Sequence, residues 1–597
     1  MEDVAMAAFT YPGVYIEEIS SGQHTISGVA TSIAAFVGWT NRGPVGSPTM
    51  VESWPQYEAL FGGFIPGNYL GYAVSQFFAN GGSQAYIVRL VATAASGAAV
   101  DAETASSTIG GLALLANNPG AWANHIFVAL TNVQTSGLVT TFNLRVTNSN
   151  GQTLESFTNL STSPSSSSYA ITVVNNDSNY IIFRAPTTDW ATTPPTVTPT
   201  TSMTNTILGS VNGSIPFTAG EALTQDVSTA TATLIGSVGL GGPMVVGGVS
   251  GPVNATNFWV GGTSGAKFQP TSLPIATIAV NPVALNAGST PTTGVDGTPL
   301  IPNSSEFDAE LIAPDGYSLL ANVPIFNLLC VPGQNSSAIV TGLLTFCFEM
   351  RAFLILDADV NANHSVLAIK GPVDATGNTY SSDHKSYGGF YYPWIQGPDP
   401  ATGFRPTLFP PCGYVAGTFA WTDANRGVWK APAGIQATLS GSLGLQVVLN
   451  DMQNGDLNPR AVNCLRQFPV YGNVVWGART MDGDDAIGSQ YKYVNLRRLA
   501  NFIESSLYRG TQWVVFEPNS EPLWGQVRLS IGTFMQQLFL QGAFAGTSPQ
   551  TAYFVKCDAD NNPDSSVAQG IVNITVGFKP LDPAEFVVIH ITQIANS

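Results

Sequence analysis

The run Ile33-Ala34-Ala35-Phe36-Val37-Gly38-Trp39 limits the fold more than any other stretch, because it carries no polar position. A strand with one face in water alternates polar and apolar residues, so a run without a polar face must be covered on both sides. Asn41-Arg42-Gly43-Pro44 ends it as a turn. Ser53 and Gln56 have capping-box spacing with Pro55 in the first turn, and the helix they open runs to Phe61 against Gly62-Gly63. A second helix over about Tyr69–Ala79 stops at Asn80-Gly81-Gly82, and Tyr86–Val91 is the next strand. Strand, helix, helix, strand makes an α/β unit.

The same texture returns near Asp308. Ile325–Val331 and Phe353–Asp357 read as strands joined by a helix through Thr341–Met350, a β-α-β pair expected to be parallel. Tyr391-Tyr392-Pro393-Trp394-Ile395 reads as a further strand. Two amphipathic helices follow. Leu496, Leu499, Phe502, Ile503 and Leu507 share one face of the first; Leu523, Trp524, Val527, Ile531, Met535, Leu538 and Phe539 share one face of the second. Asn519 is the expected cap of the second helix, with Pro522 in its first turn.

Between these halves, helical periodicity disappears and short alternating strands appear at Ile126–Leu130, Phe142–Val146 and Tyr180–Phe183. The Thr/Pro-rich stretch Thr187–Thr206 divides this region, and Gly213–Gly265 has the turn spacing of a small sandwich or barrel. The expected fold class is therefore α+β. A mixed α/β core is assembled from residues 23–98 and 306–568. A β-rich insertion over 99–305, in two subdomains, leaves it, and terminal arms occupy 1–22 and 569–597.

Both arms read as strands without a neighbouring hairpin partner. Val14, Tyr15, Ile16, Glu17, Glu18 and Ile19 form the first, released by a hinge at Ser20, Ser21 and Gly22. Phe586, Val587, Val588, Ile589, His590 and Ile591 form the second. An open apolar edge invites pairing with another chain.

Composition removes several function classes. A net charge of −17 opposes non-specific nucleic-acid binding, which needs a basic footprint. The five cysteines are odd in number, widely spaced and free of Cys-x-x-Cys, and read as reduced core thiols. The N-terminus has no basic and apolar leader and no stretch is apolar enough to span a bilayer, so synthesis in a cytoplasm without membrane insertion is expected. No phosphate loop, no Gly-x-Ser-x-Gly and no His-Glu-x-x-His is present. Glu17 and Glu18 fall on opposite faces of a strand and cannot act as an acid–base pair. Asp558–Asp564 begins like a calcium loop, but Pro563 stands where glycine is needed and Gln569 where a bidentate glutamate is needed. No catalytic residue, cofactor or metal is expected, and the chain does not read as an enzyme.

Several ordered blocks carry a resemblance. They are Tyr11-Pro12-Gly13-Val14-Tyr15-Ile16-Glu17-Glu18, Gly28–Ser32 to Arg42-Gly43-Pro44, Pro119–Asn124, Arg351–Asp357 and Tyr391–Trp394. Pro411–Gly417, Asp423 to Pro432, Leu457-Asn458-Pro459, Asn495–Glu504, Phe516–Asn519 and Pro583-Ala584-Glu585-Phe586 continue the series. In this order they resemble contractile tail sheath proteins, with Ala123 and Cys412 as departures where glycine and a small polar residue are commoner. The insertion matches only loosely.

The resemblance implies a structural subunit of a phage tail or a contractile injection particle. Such subunits stack as hexameric rings around an inner tube, and their two arms add strands to sheets of neighbours. Its partners would be other copies, the tube protein, and baseplate and terminal cap proteins, with no nucleic acid. Contraction would draw on a metastable lattice rather than on ATP. Arg497, Arg498, Glu504, Gln526 and Arg528, on the two late helices, are the candidates for facing the tube. The alternative is a β-rich surface adhesin or carbohydrate-binding structural protein, suggested by the Thr/Ser/Gly-rich insertion with Trp190 and Trp259.

Overall fold

The computed structural model describes residues 24–97, 294–360 and 377–586, together with interrupted segments over 106–277 and 371–374. The first arm with its hinge, and Val587 to Ile591 of the second, lie outside the described residues.

The apolar run becomes β1 (Ala34–Trp39), buried at every position. It lies near the middle of an eight-stranded sheet with β2 (Thr49–Val51), β3 (Ala85–Leu90), β4 (Leu328–Cys330), β5 (Phe353–Asp357), β6 (Gly388–Tyr392), β7 (Val462–Phe468) and β8 (Gly472–Val475). The strand order is β2-β3-β1-β4-β5-β6-β7-β8. The six inner strands run parallel, and the two edge strands, β2 and β8, pair antiparallel. Alternate residues supply two separate cores. Ala35, Val37, Trp39, Leu354 and Leu356 face one side; Ala34, Phe36, Phe353 and Ile355 face the other. Each buried valine, leucine, isoleucine or phenylalanine among them contributes about 1.5–3 kcal/mol.

Helices cover both faces, as the sequence of β1 requires. Helix α1 (Trp54–Phe61), α2 (Leu70–Ala79) and α4 (Cys412–Arg426) pack on the Phe36 side through Tyr57, Val74, Phe77, Val415 and Phe419. Helix α3 (Ser337–Met350) covers the other with Val340, Leu343 and Leu344. The α2–α4 contact is close because two glycines stand in it. A Cβ on Gly413 would lie 2.3 Å from the Ala73 carbonyl oxygen, and one on Gly417 would lie 2.6 Å from Asn80 Cβ. At the start of α4 the buried Asp357 carboxylate accepts the Cys412 N–H at 2.7 Å and the Gly333 N–H at 3.0 Å.

The C-terminal region forms a third layer from α5 (Val494–Gly510), α6 (Glu521–Leu540) and an antiparallel pair, β9 (Tyr553–Lys556) and β10 (Thr575–Phe578). Leu499, Ile503, Val527, Ile531 and Met535 fill its core, and Ile26, from the other end of the chain, joins them. Between β3 and β4, Ile126–Ser136, Val139–Asn148 and Thr153–Ser161 form one antiparallel sheet. A separate eight-stranded antiparallel sheet extends between Thr204–Ile207 and Ile275–Thr277 around Trp259 and Phe268. All five cysteines are buried free thiols, and among the described residues no helix is long and apolar enough to cross a membrane.

Four local expectations are corrected. The strand expected over Tyr391–Ile395 is two strands: β6 ends at Tyr392, and Ile395–Asp399 pairs antiparallel with Arg405–Phe409 in another sheet. Pro393, without an N–H, separates them. Ser520, not Asn519, is the N-cap of α6, because the Asn519 amide is held by Trp524 Nε1 (2.8 Å) and the Ile571 carbonyl (3.0 Å). Ser53 caps α1, but the Gln56 side chain accepts from the Glu52 N–H (2.8 Å) rather than from that of Ser53. A helix at Ala170–Asp177 interrupts the β region; only Ala170 and Val174 are buried, one turn apart, which is too little for periodicity to register.

Candidate functional site

The last described residues of the chain are fastened to the core at one carboxylate, Glu585. Arg479 follows β8, and its backbone is fixed by Asn463 of β7, which accepts the Arg479 N–H at 2.7 Å and donates to its carbonyl at 2.7 Å. The guanidinium is buried and aimed at that carboxylate. Nε donates to Glu585 Oε1 at 2.8 Å and Nη2 to Glu585 Oε2 at 2.7 Å, the planar two-pronged geometry that suits arginine. Nη1 turns the other way, to Asp485 Oδ1 at 2.9 Å and the Gly483 carbonyl at 3.2 Å. Two more donors complete the clamp: Asn458 Nδ2 to Oε1 at 2.6 Å and the Tyr493 hydroxyl to Oε2 at 3.0 Å. Burial alone would push the Glu585 carboxyl up; the hydrogen bonds from Arg479 and Asn458 and the Arg479 charge hold it below the ordinary glutamate range. One residue later Phe586 is 76% exposed.

The segment before Glu585 is tied as well. Asn495 Nδ2 donates to the Leu581 carbonyl at 3.1 Å, and the Lys579 N–H donates to Ala552 at 2.8 Å. Beside this segment opens a cleft of about 660 Å³, with Arg426, Trp429, Lys430, Trp476 and Asp582 among its lining residues. The β9–β10 pair has no third strand among the described residues. A smaller cleft of about 350 Å³ borders β10, between Ile574, Val576, Leu507 and Ile531.

The late helices depart from expectation. Arg497 is buried; it donates to Asn501 Oδ1 (2.8 Å) and Glu504 Oε1 (2.7 Å) and lies under the rings of Tyr387 and Tyr491. Arg498 is buried too, paired in two-pronged fashion with Asp423 at 2.9 and 2.6 Å. Their charges are engaged inside the chain, which corrects their selection as surface-facing groups. Gln526 and Glu504 are exposed, and Arg528 is partly exposed and paired with Glu521 at 2.6 Å. Sequence reasoning did not single out Arg479, although an arginine directly after the apolar run Val474–Ala478 is a detectable signal. Nor did it connect Asn458, Tyr493 and Glu585, which only the fold brings together.

The family model of the phage tail sheath protein central domain matches residues 322–481, and that of the phage tail sheath C-terminal domain matches 487–594. A prophage major tail sheath protein of Pseudomonas aeruginosa, so described provisionally, is 28% identical over 279 residues, covering 45% of this chain and 65% of that protein. The tail sheath protein of Enterobacteria phage T4 is 25% identical over 185 residues, covering 30% of this chain and 26% of that protein. The chain thus spans less than two thirds of the length of these relatives. In fold it is similar to the contracted helical sheath of the anti-feeding prophage, at TM-score 0.50 and 20% identity over 98% of this chain and 99% of the other. It is similar also to a sheath tail protein from Listeria innocua, at TM-score 0.52 and 10% identity over 94% of each. Residues 322–481 and 487–594, which carry strands β4 to β8 of the sheet and the Glu585 contacts described above, thus match the central and C-terminal domains of phage tail sheath proteins.

Proposed function

We propose that the chain is a structural subunit of a contractile sheath. Copies polymerise as stacked hexameric rings around an inner tube, held by both terminal arms, and contraction of the polymer drives the tube through a target envelope. The observation that carries this reading is the clamp on Glu585: four hydrogen bonds fix the arm at its root, while the next residue already stands free of the core. A segment anchored in this way can offer the residues that follow it to another chain. The β9–β10 pair, backed by α6 and open along its edges among the described residues, is the acceptor of matching chemistry. Main-chain pairing of this kind tolerates rotation of the bodies that it joins, which suits a lattice that shortens without coming apart. Baseplate, cap and tube proteins are the further partners of such a polymer. Of the tube-facing candidates, Glu504, Gln526 and Arg528 remain with exposed surface.

Deleting residues 1–20 is the direct test. The expected product is a folded chain that no longer forms tubes in electron micrographs, whereas tubes of normal length from the deletion variant would refute the reading.

A further inference from the structure

Two cations in the larger cleft have no acidic partner among the described residues. Arg426, at the end of α4, donates to Gln436 Oε1 at 2.6 Å, and Lys430 Nζ donates to the Ala431 and Ala433 carbonyls at 2.7 and 3.4 Å. Among the described residues no carboxylate forms an ion pair with either, although Asp582 stands in the same lining. Lys430 is held below the ordinary lysine range by burial and by the neighbouring charge of Arg426. Trp429 and Trp476 give the same cleft an aromatic wall.

The N-terminal arm has the complementary chemistry. Residues 1–23 contain Glu2, Asp3, Glu17 and Glu18 and neither lysine nor arginine. As a strand, its period of two puts Tyr15 and Glu17 on one face, an aromatic ring beside a carboxylate. The C-terminal residues 587–597 contain no acidic side chain. We infer that this cleft receives the Tyr15–Glu17 face of the N-terminal arm of a second copy of the chain, with Glu17 against Lys430 and Arg426 and Tyr15 against the tryptophans. The inference rests on the sheath reading and adds to it a side-chain lock beyond main-chain pairing.

Geometry favours a second copy over the chain's own arm. His24 stacks on Trp513 at 4.0 Å, beyond the C-terminal end of α5, whereas the cleft lies at the other end of that helix, at Tyr493 and Asn495. The 17 residues of α5 cover roughly 25 Å at 1.5 Å per residue. The seven residues from His24 back to Glu17 reach about 25 Å only when fully extended, leaving nothing for the reversal of direction.

The test uses the full chain and its polymerisation. Glu17→Lys and Lys430→Glu are each expected to raise the protein concentration needed for half-maximal assembly by about tenfold, and the two together in one chain to restore it; Glu18→Lys, on the opposite face, leaves it within about twofold. A mixture of Glu17→Cys chains and Lys430→Cys chains, treated with a mild thiol oxidant, is expected to yield a disulfide-linked dimer in the assembled fraction. Assembly without that dimer, or failure of the combined charge swap to restore assembly, overturns the inference and leaves the sheath reading standing. A wild-type chain that forms no polymer overturns both.

Discussion

Replacing Glu585 with glutamine tests whether one carboxylate holds the arm root. The substitution keeps the shape but turns one acceptor oxygen into a donor facing the Arg479–Tyr493 side of the clamp. The loss is one charge-assisted hydrogen bond, in the range of about 1.5–3 kcal/mol. Arg479 keeps Asp485 at 2.9 Å, so it is not left as an unpaired buried charge, and the larger penalty for that case does not apply. About 2 kcal/mol corresponds to roughly a 30-fold rise in the ratio of released to clamped arm. A spin label on Phe586→Cys reads this ratio, because position 586 is exposed while all five native cysteines are buried. With Glu585 in place the label, carried on backbone next to the clamp, gives a spectrum of restricted motion near neutral pH, and the glutamine variant adds a more mobile component. Acid has the same effect. The folded-state pKa of Glu585 is depressed, so its stabilisation is complete above the ordinary glutamate value of about 4.3 and is lost as the pH falls through the folded-state value. The mobile component of the wild type therefore grows below about pH 4.3, while that of the glutamine variant is insensitive to this titration. Identical spectra for the two proteins at neutral pH, or an unchanged wild-type spectrum through the acid range, would refute the clamp.

Other consequences follow from packing and paired charge. Gly413→Ala places a methyl group against the Ala73 carbonyl and is expected to lower stability by about 1–3 kcal/mol in denaturant unfolding. Gly532→Ala, in α6 with nothing within 4 Å of the added carbon, has the opposite sign, a gain of about 0.5–1 kcal/mol. Asp423→Asn leaves Arg498 buried with the Thr31 carbonyl in place of a carboxylate; a loss of about 3–5 kcal/mol in chemical denaturation is expected, against no measurable loss for an exposed ion pair.

The sequence by itself determined the layered core. An apolar run such as Ile33–Trp39 can be satisfied only between two covering layers, and the caps at Ser53 and Gly62 bound α1 through interactions only a few residues apart. What escaped was whatever depends on distant neighbours. Arg497 and Arg498 look like surface charges on an amphipathic helix, yet Asp423 lies 75 residues from Arg498, and nothing local reveals that it stands opposite. Asn519 has the composition of a cap but is taken by Trp524 and Ile571. The Glu585 clamp gathers groups from 458, 479 and 493, more than 90 residues before the carboxylate. Local patterns encode which surface a segment must bury. Which buried charge meets which carboxylate is settled by how helices, strands and connecting segments pack together, because only that packing sets the distances over which Coulomb attraction and hydrogen bonding act.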